Sequence, residues 1–307
     1  MTPNRKPILV TGAHRTGTTW VGKMLAAHGR IAYISEPLNQ LHRPGVFKAS
    51  VPYWYTYITE NNEQRYFTAF QDLIAFRYHL FSELLSLRSA RDASRMVRDM
   101  TIFLQGRFKN QEILLKDPFA VFSIDWFIKR LDCRVIVTIR HPAGFASSLK
   151  RLNWPFDFRD LLDQPELMQD WLEPERNAML SIQSEDVIAQ AGLLWVMIYR
   201  VVREACGKNP EIQLVRHEDL AADPVGGFET LYNRLGLEFN DRAKKNILMS
   251  TGSDNPQESS EKNAYSVKLD SRASLGKWKK HLRPEEISRI RKITETMAHF
   301  YYPDSEW

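Results

Sequence analysis

Short unbroken apolar runs alternate along this chain with longer stretches of helical spacing. That alternation predicts a parallel sheet covered on both faces by helices. "ILVT" (8–11) is the first expected strand, followed by a glycine loop and a helix over "TTWVGKMLAAHG" ending at Gly29. "IAYIS" (31–35) is the second, stopped by Pro37, and "EILLK" (112–116) the third. Pro118 then opens a helix over "FAVFSIDWFIKRL". "CRVIVTI" (133–139) is the fourth strand and the most clearly buried; "IQLVR" (212–216) is the fifth, with a helix beginning near Pro224. An amphipathic helix from Pro284 to about Phe300 closes the chain. The fold class expected is α/β: a P-loop-like, three-layer arrangement with a central parallel sheet flanked by helices.

Two regions break the alternation. Residues 40–110 hold the aromatic cluster "VPYWYTY", and residues 153–185 hold three prolines and many acidic residues. Both are expected as excursions above the sheet, walling a substrate cleft within a single domain over 1–307. Composition alters this picture little. With 43% hydrophobic and 26% charged residues the 307-residue chain is ordinary for a globular protein, and a net charge of +5 suits an anionic ligand. Two cysteines, Cys133 and Cys206, make a disulfide framework unexpected. The start, "MTPNRKPILVTG", has no apolar run suited to a signal peptide, and no stretch approaches the roughly 18 apolar residues that span a bilayer. The expected location is therefore cytoplasmic, with peripheral contact at the inner membrane face left open.

The candidate chemistry begins at "TGAHRTGTTW" (11–20). Gly12, Gly17 and Thr19 fill the fixed positions of the kinase signature G-x-x-x-x-G-K-S/T, but Thr18 replaces its lysine. Strand, glycine loop and helix in that order still aim backbone N–H groups and a helix N-terminus at an anion. Arg15, at the crown of the loop, is the candidate substitute for the missing cation. A kinase would also need a magnesium-binding carboxylate at a strand end. The fourth strand ends instead in "TIRHP", while the third offers Asp117.

"HRTGTTW" resembles the 5′-phosphosulfate loop of sulfotransferases that use 3′-phosphoadenosine 5′-phosphosulfate (PAPS). Their loop runs Lys/Arg, Ser/Thr, Gly, Ser/Thr, Ser/Thr, Trp/Phe, and Arg15, Thr16, Gly17, Thr18, Thr19 and Trp20 match it in turn. "VIVTIRHPAGFASSLKR" resembles the family's second motif, with Arg140 ending a strand, then Pro142, and Ser148 in the following helix. "LVRHEDLAADP" resembles the "RYEDL" segment, and "SRASLGKWKKHLRPEE" the C-terminal nucleotide loop. The resemblance covers nearly the whole chain. It implies PAPS as donor, adenosine 3′,5′-bisphosphate (PAP) as product and no metal. It further implies that His14 and residues 15–20 hold the 5′ side, while Arg140 and Ser148, with Arg272, Ser274, Leu275, Gly276, Lys277 and Trp278, read the 3′-phosphate.

In-line sulfuryl transfer needs charge on the leaving phosphate and a base for the acceptor hydroxyl. Arg15 and the loop amides supply the first. Many relatives place lysine–threonine–histidine after the third strand, with histidine as base; here Lys116-Asp117-Pro118 keeps only the lysine. "YISEPLN" instead puts Glu36 at the end of the second strand, and this resembles the "EP" segment of carbohydrate sulfotransferases. Glu36 is thus the expected base, Lys116 the contact to the bridging oxygen, and Asp117, His14 and His141 the alternative bases. Tyr53, Trp54, Tyr55 and Tyr57 could stack on sugar rings, with Arg43 and Lys48 suited to an anionic glycan. The expected acceptor is a hydroxyl of a carbohydrate or glycolipid. The rivals are a small alcohol or phenol as acceptor, a nucleotide or small-molecule kinase, and a catalytically idle nucleotide-binding or nucleic-acid-binding protein. No nucleic-acid motif is present.

Overall fold

The structure, a computed structural model, describes residues 6–257 and 267–307; the first five residues of the amino-terminal stretch lie outside it. Five strands form one sheet: β1 (Ile8–Gly12), β2 (Ile31–Ser35), β3 (Glu112–Lys116), β4 (Arg134–Ile139) and β5 (Gln213–Arg216). Their order is β2-β3-β1-β4-β5 and every pairing is parallel. In register, Val10 lies opposite Lys116 and Gly12 opposite Thr138, so the ends of three neighbouring strands converge beside the glycine loop.

The strands are apolar without a break because both faces are covered. Leu9, Leu115, Val135 and Val137 point to one face and pack with Phe145, Trp195 and Tyr199 of the helices Pro142–Leu152 and Val187–Lys208. Ile8, Val10, Leu114 and Ile136 point to the other and pack with Val21, Leu25, Phe228 and Leu231 of the helices Thr18–Ala26 and Pro224–Arg234. The expected three-layer α/β arrangement is what the chain forms.

Local chemistry explains the departures from the expected elements. The helix after Pro118 begins as a 3₁₀ segment, Pro118–Ser123, before the α-helix Ile124–Leu131; Asp117 caps it by accepting from Phe119 N at 3.0 Å. Between β5 and the Pro224–Arg234 helix lies a further short helix, His217–Ala222. The two are separated at Asp223, which precedes a proline and so avoids the helical region, and whose carboxylate caps Gly226 N at 3.1 Å.

The two excursions bind each other above the carboxyl ends of the strands. Asp160 accepts from Trp54 N and Gln40 Nε2, both at 3.0 Å, and Gln164 accepts from Tyr57 N at 2.8 Å. Arg200, the charge inside the apolar helix Val187–Lys208, donates to Trp171 O at 2.7 Å and Glu175 at 2.6 Å, fastening the second excursion to the core. No helix among the described residues is long and apolar enough to cross a membrane.

Candidate active site

Beyond β1 the chain must turn away sharply beside β4. Gly12 has φ +136°, and a Cβ there would stand 2.3 Å from Thr138 O, so only glycine lets the strand end this close to its neighbour. Thr16 ties the loop down from beneath, its hydroxyl donating to Ala13 O at 2.6 Å and meeting Thr138 Oγ1 at 2.8 Å. Its side chain is buried in the loop's foundation and does not line the cavity above. Arg15 holds a left-handed backbone (φ 67°) at the crown, and its Nε donates to Ser148 Oγ at 3.2 Å. Gly17 (φ 99°) starts the Thr18–Ala26 helix without a side-chain cap, leaving the first-turn N–H groups to face an anion.

A cavity of about 620 Å³ opens at this loop, walled by His14, Arg15, Gly17, Thr18, Thr19 and Trp20. The end of β4 and the helix behind it add Arg140, Ser147, Ser148 and Arg151. Arg140 donates to Arg15 O at 3.3 Å, which couples the two cationic elements. Burial lowers the Arg140 pKa, with Glu218 acting against that; the guanidinium stays charged. From the C-terminal segment, Ser274, Lys277 and Trp278 line the same cavity. Leu275 and Gly276 belong to a smaller adjoining cavity of about 330 Å³ that also touches Arg140, Ser274 and Trp278. Arg272 stands outside both cavities, donating to Ala222 O at 3.1 Å.

On the opposite wall, Glu36 takes a left-handed backbone (φ 54°) just past β2, its N–H bonded to Lys116 O at 2.7 Å. Asn39 donates to Glu36 Oε2 at 2.7 Å, and the buried Lys116 ammonium pairs with Oε1. Glu36 lines the cavity; Lys116 lies behind it. Asp117, next in sequence to Lys116, faces elsewhere. Its carboxylate accepts from Leu38 N at 2.6 Å and Phe119 N at 3.0 Å, and burial pushes its pKa up to about 7 despite those bonds.

His14 and His141 are both desolvated imidazoles. His14 meets the Tyr55 hydroxyl at 2.5 Å through Nδ1, and desolvation with help from Arg15 lowers its pKa to about 3. His141 stacks on Trp278 at 4.8 Å, accepts from Ala143 N at 3.2 Å, and is likewise lowered to about 3, chiefly by burial.

The remaining wall is aromatic: Trp54, Tyr55, Phe119, Trp154 and Phe156, with Asp157 and Asp160 at its edge. Of the expected sugar-binding cluster, Trp54 and Tyr55 reach the cavity and Tyr53 and Tyr57 do not. Tyr57 donates instead to Asp170 at 2.9 Å. Lys48 is also off the cavity, and Arg43 is enclosed by Glu83, Asp92 and Asp99. That hub leaves Arg43 no part in binding a glycan.

Several wall residues escaped the sequence reading. Asn39 stands three residues after Glu36, and Arg151 three after Ser148 on the same helix, so turn and helix spacing carried a signal for both. His217 approaches the loop so closely that a Cβ on Gly17 would lie 2.9 Å from its Nδ1. Trp154 arrives from the second excursion, and no local pattern marks it.

Residues 7–241 match the family described as "Sulfotransferase family". Among solved structures the chain is similar to the sulfotransferase domain from the curacin biosynthetic pathway, at 16% identity over 94% of this chain and 98% of that one, with a TM-score of 0.48. Sulfotransferase STF9 from Mycobacterium avium is 15% identical over 97% and 77% of the two chains, with a TM-score of 0.49. Mouse sulfotransferase SULT7A1, complexed with PAP, is 13% identical over 99% and 86%, with a TM-score of 0.46. No curated protein matches the chain. The structural likenesses are too distant to carry weight, whereas the family match takes in the loop, both strand ends and the segment after β5. The chain belongs to the sulfotransferase family.

Proposed function

We propose that this sulfotransferase moves the sulfuryl group of PAPS to a saccharide hydroxyl, with Glu36 as general base and PAP as product. The observation that carries the reading is the position of Glu36. It is a carboxylate on the cavity wall across from the loop, held by Asn39 and Lys116, while Asp117 is spent on capping and His14 and His141 are kept neutral. As the new S–O bond forms, the acceptor hydroxyl loses its proton to Glu36, and the S–O bond to the phosphate breaks with its electron pair leaving on PAP. Arg15 and the helix N-terminus stabilise that leaving charge. Lys116 pairs with Glu36 in the resting site, and protonation of Glu36 would release its ammonium for the bridging oxygen.

The half-buried faces of Trp54 and Trp154 beside Asp157 and Asp160 support a sugar: aromatic faces take the C–H side of a pyranose and carboxylates take its hydroxyls. The buried rings of Tyr55, Phe119 and Phe156 favour a second reading, a small alcohol or phenol. Radiolabelled PAPS with a panel of saccharides, glycolipids, aliphatic alcohols and phenols separates them. Saccharides should give kcat/KM at least about tenfold above the phenols; the reverse order overturns the saccharide assignment. In the same assay Glu36→Gln should lower kcat by about 10²–10⁴ and leave PAP affinity within about threefold. Near-normal turnover of Glu36→Gln would move the base elsewhere.

A further inference from the structure

The helix Ala90–Phe108 is amphipathic in the unusual sense. Its inward side carries Asp99, Phe103 and Gly106, and its outermost line carries Val97, Thr101, Leu104 and Phe108 at helical spacing, all exposed. The helix Leu80–Ser86, three residues earlier, does the same: Glu83 is fully buried while Phe81 and Leu85 are each 83% exposed, as is Phe108 at 82%. The inward ionic groups explain the inversion. Arg43 pairs with Glu83 on one helix and with Asp92 and Asp99 on the other, and Glu83 also accepts from Gly45 N at 2.8 Å. One arginine thus holds both helices from within, beside Phe103 packed on Phe76 and Tyr78, and a second apolar line is left facing outward on a rigid support.

The flanks of this apolar line are basic. Arg88, Arg91, Arg107 and Lys109 are all exposed, and among the described residues none has a carboxylate ion pair. The half-buried acid here, Asp92, is already engaged by Arg43, Arg95 and Ser89. An apolar line between unpaired cations repels a second copy of itself in a two-fold contact but matches the acyl–headgroup boundary of an anionic bilayer. We propose that these two helices seat the enzyme on an anionic membrane surface, Phe81, Leu85, Leu104 and Phe108 entering the interface and Arg88, Arg91, Arg107 and Lys109 meeting lipid phosphates. None of these side chains lines the cavity, so the proposal does not depend on which acceptor is used.

The test is flotation of the full chain with vesicles of phosphatidylcholine alone or mixed roughly two to one with phosphatidylglycerol. The protein should float with the mixed vesicles and stay behind with the neutral ones. Each basic residue near such a surface contributes about a fivefold factor, so Arg91→Gln/Arg107→Gln/Lys109→Gln should weaken partitioning about a hundredfold. Phe81→Ser/Phe108→Ser should weaken it at least tenfold, and both variants should keep parental turnover on a soluble acceptor. These substitutions lie at exposed positions, and unchanged turnover certifies the fold. Three results would each overturn the proposal: no flotation at low salt, equal binding to both vesicle types, or a parental dimer that Phe81→Ser/Phe108→Ser converts to monomer.

Discussion

Arg140 shows how one side chain serves two neighbours. Its half-buried guanidinium, just past β4, donates to Arg15 O at 3.3 Å and faces the cavity beside Ser147 and Ser148. In the proposed complex it would meet the 3′-phosphate, the group that distinguishes PAP from 5′-AMP. A charge-assisted contact contributes roughly 1.5–3 kcal/mol, so Arg140→Ala should weaken PAP binding at least about tenfold and hardly alter 5′-AMP binding, measured by calorimetry. Because Arg140 also braces the loop, equal losses for both ligands would mean it acts through Arg15, and the 3′-phosphate assignment would fall. Glu36 and Asp117 make the complementary point. They are carboxylates at adjacent strand ends, yet one lines the cavity and the other is consumed by two backbone N–H groups.

At the scale of the element, the anion site depends on how closely β1 approaches β4. The loop can begin where it does because Gly12 lacks a side chain, with Thr138 Oγ1 only 2.8 Å from where a Cβ would be. The same Thr138 hydroxyl meets Thr16 Oγ1 and lies 3.3 Å from Thr11 O, so pushing β4 away also unseats the loop. Gly12→Ala should therefore lower stability on the order of 3 kcal/mol, through strain at positive φ plus a backbone collision. It should also weaken PAP binding beyond what the lost stability explains. Urea denaturation and calorimetry on the same preparation would check both; a soluble Gly12→Ala with parental stability and affinity would show that the strands separate freely.

The whole molecule keeps several imidazoles out of water, and its pH response should show it. His141 is buried among Arg140, Arg216 and Lys279, and burial first, then those cations, lowers its pKa to about 3 from an unfolded value near 6.5. Between those values the unfolded chain binds a proton that the folded one refuses. Its contribution to stability is therefore complete above about pH 6.5 and is lost as the pH falls toward 3. His14 acts in the same direction. Asp117 acts oppositely: its raised pKa makes stability fall as the pH climbs from about 4 to about 7. Urea unfolding across this range should give His141→Gln a slope shallower than the parent's by about one proton. Identical slopes would show that His141 takes up its proton in the folded state.

The amino-acid sequence alone determined the sheet and the loop. Strands covered on both faces must be unbroken apolar runs, so "EILLK" and "IAYIS" stand out and coincide with β3 and β2 to the residue. A turn at which any Cβ would stand 2.3 Å from a neighbouring carbonyl admits only glycine, so the loop carries its own mark. The short helix His217–Ala222 was less visible because its existence depends on the break that Pro224 imposes on Asp223. Only the tertiary structure decided what the charged and aromatic side chains do. Arg43 suits a glycan in sequence and is a clamp in the fold, because Glu83 and Asp99 reach it from forty and more residues away. Glu36 and Lys116 are eighty residues apart and become partners through strand register. An apolar run buries itself wherever it lies, so its pattern is local. The state and role of an ionisable group depend on the water it loses and the partners it gains, and both are set by segments distant in the chain.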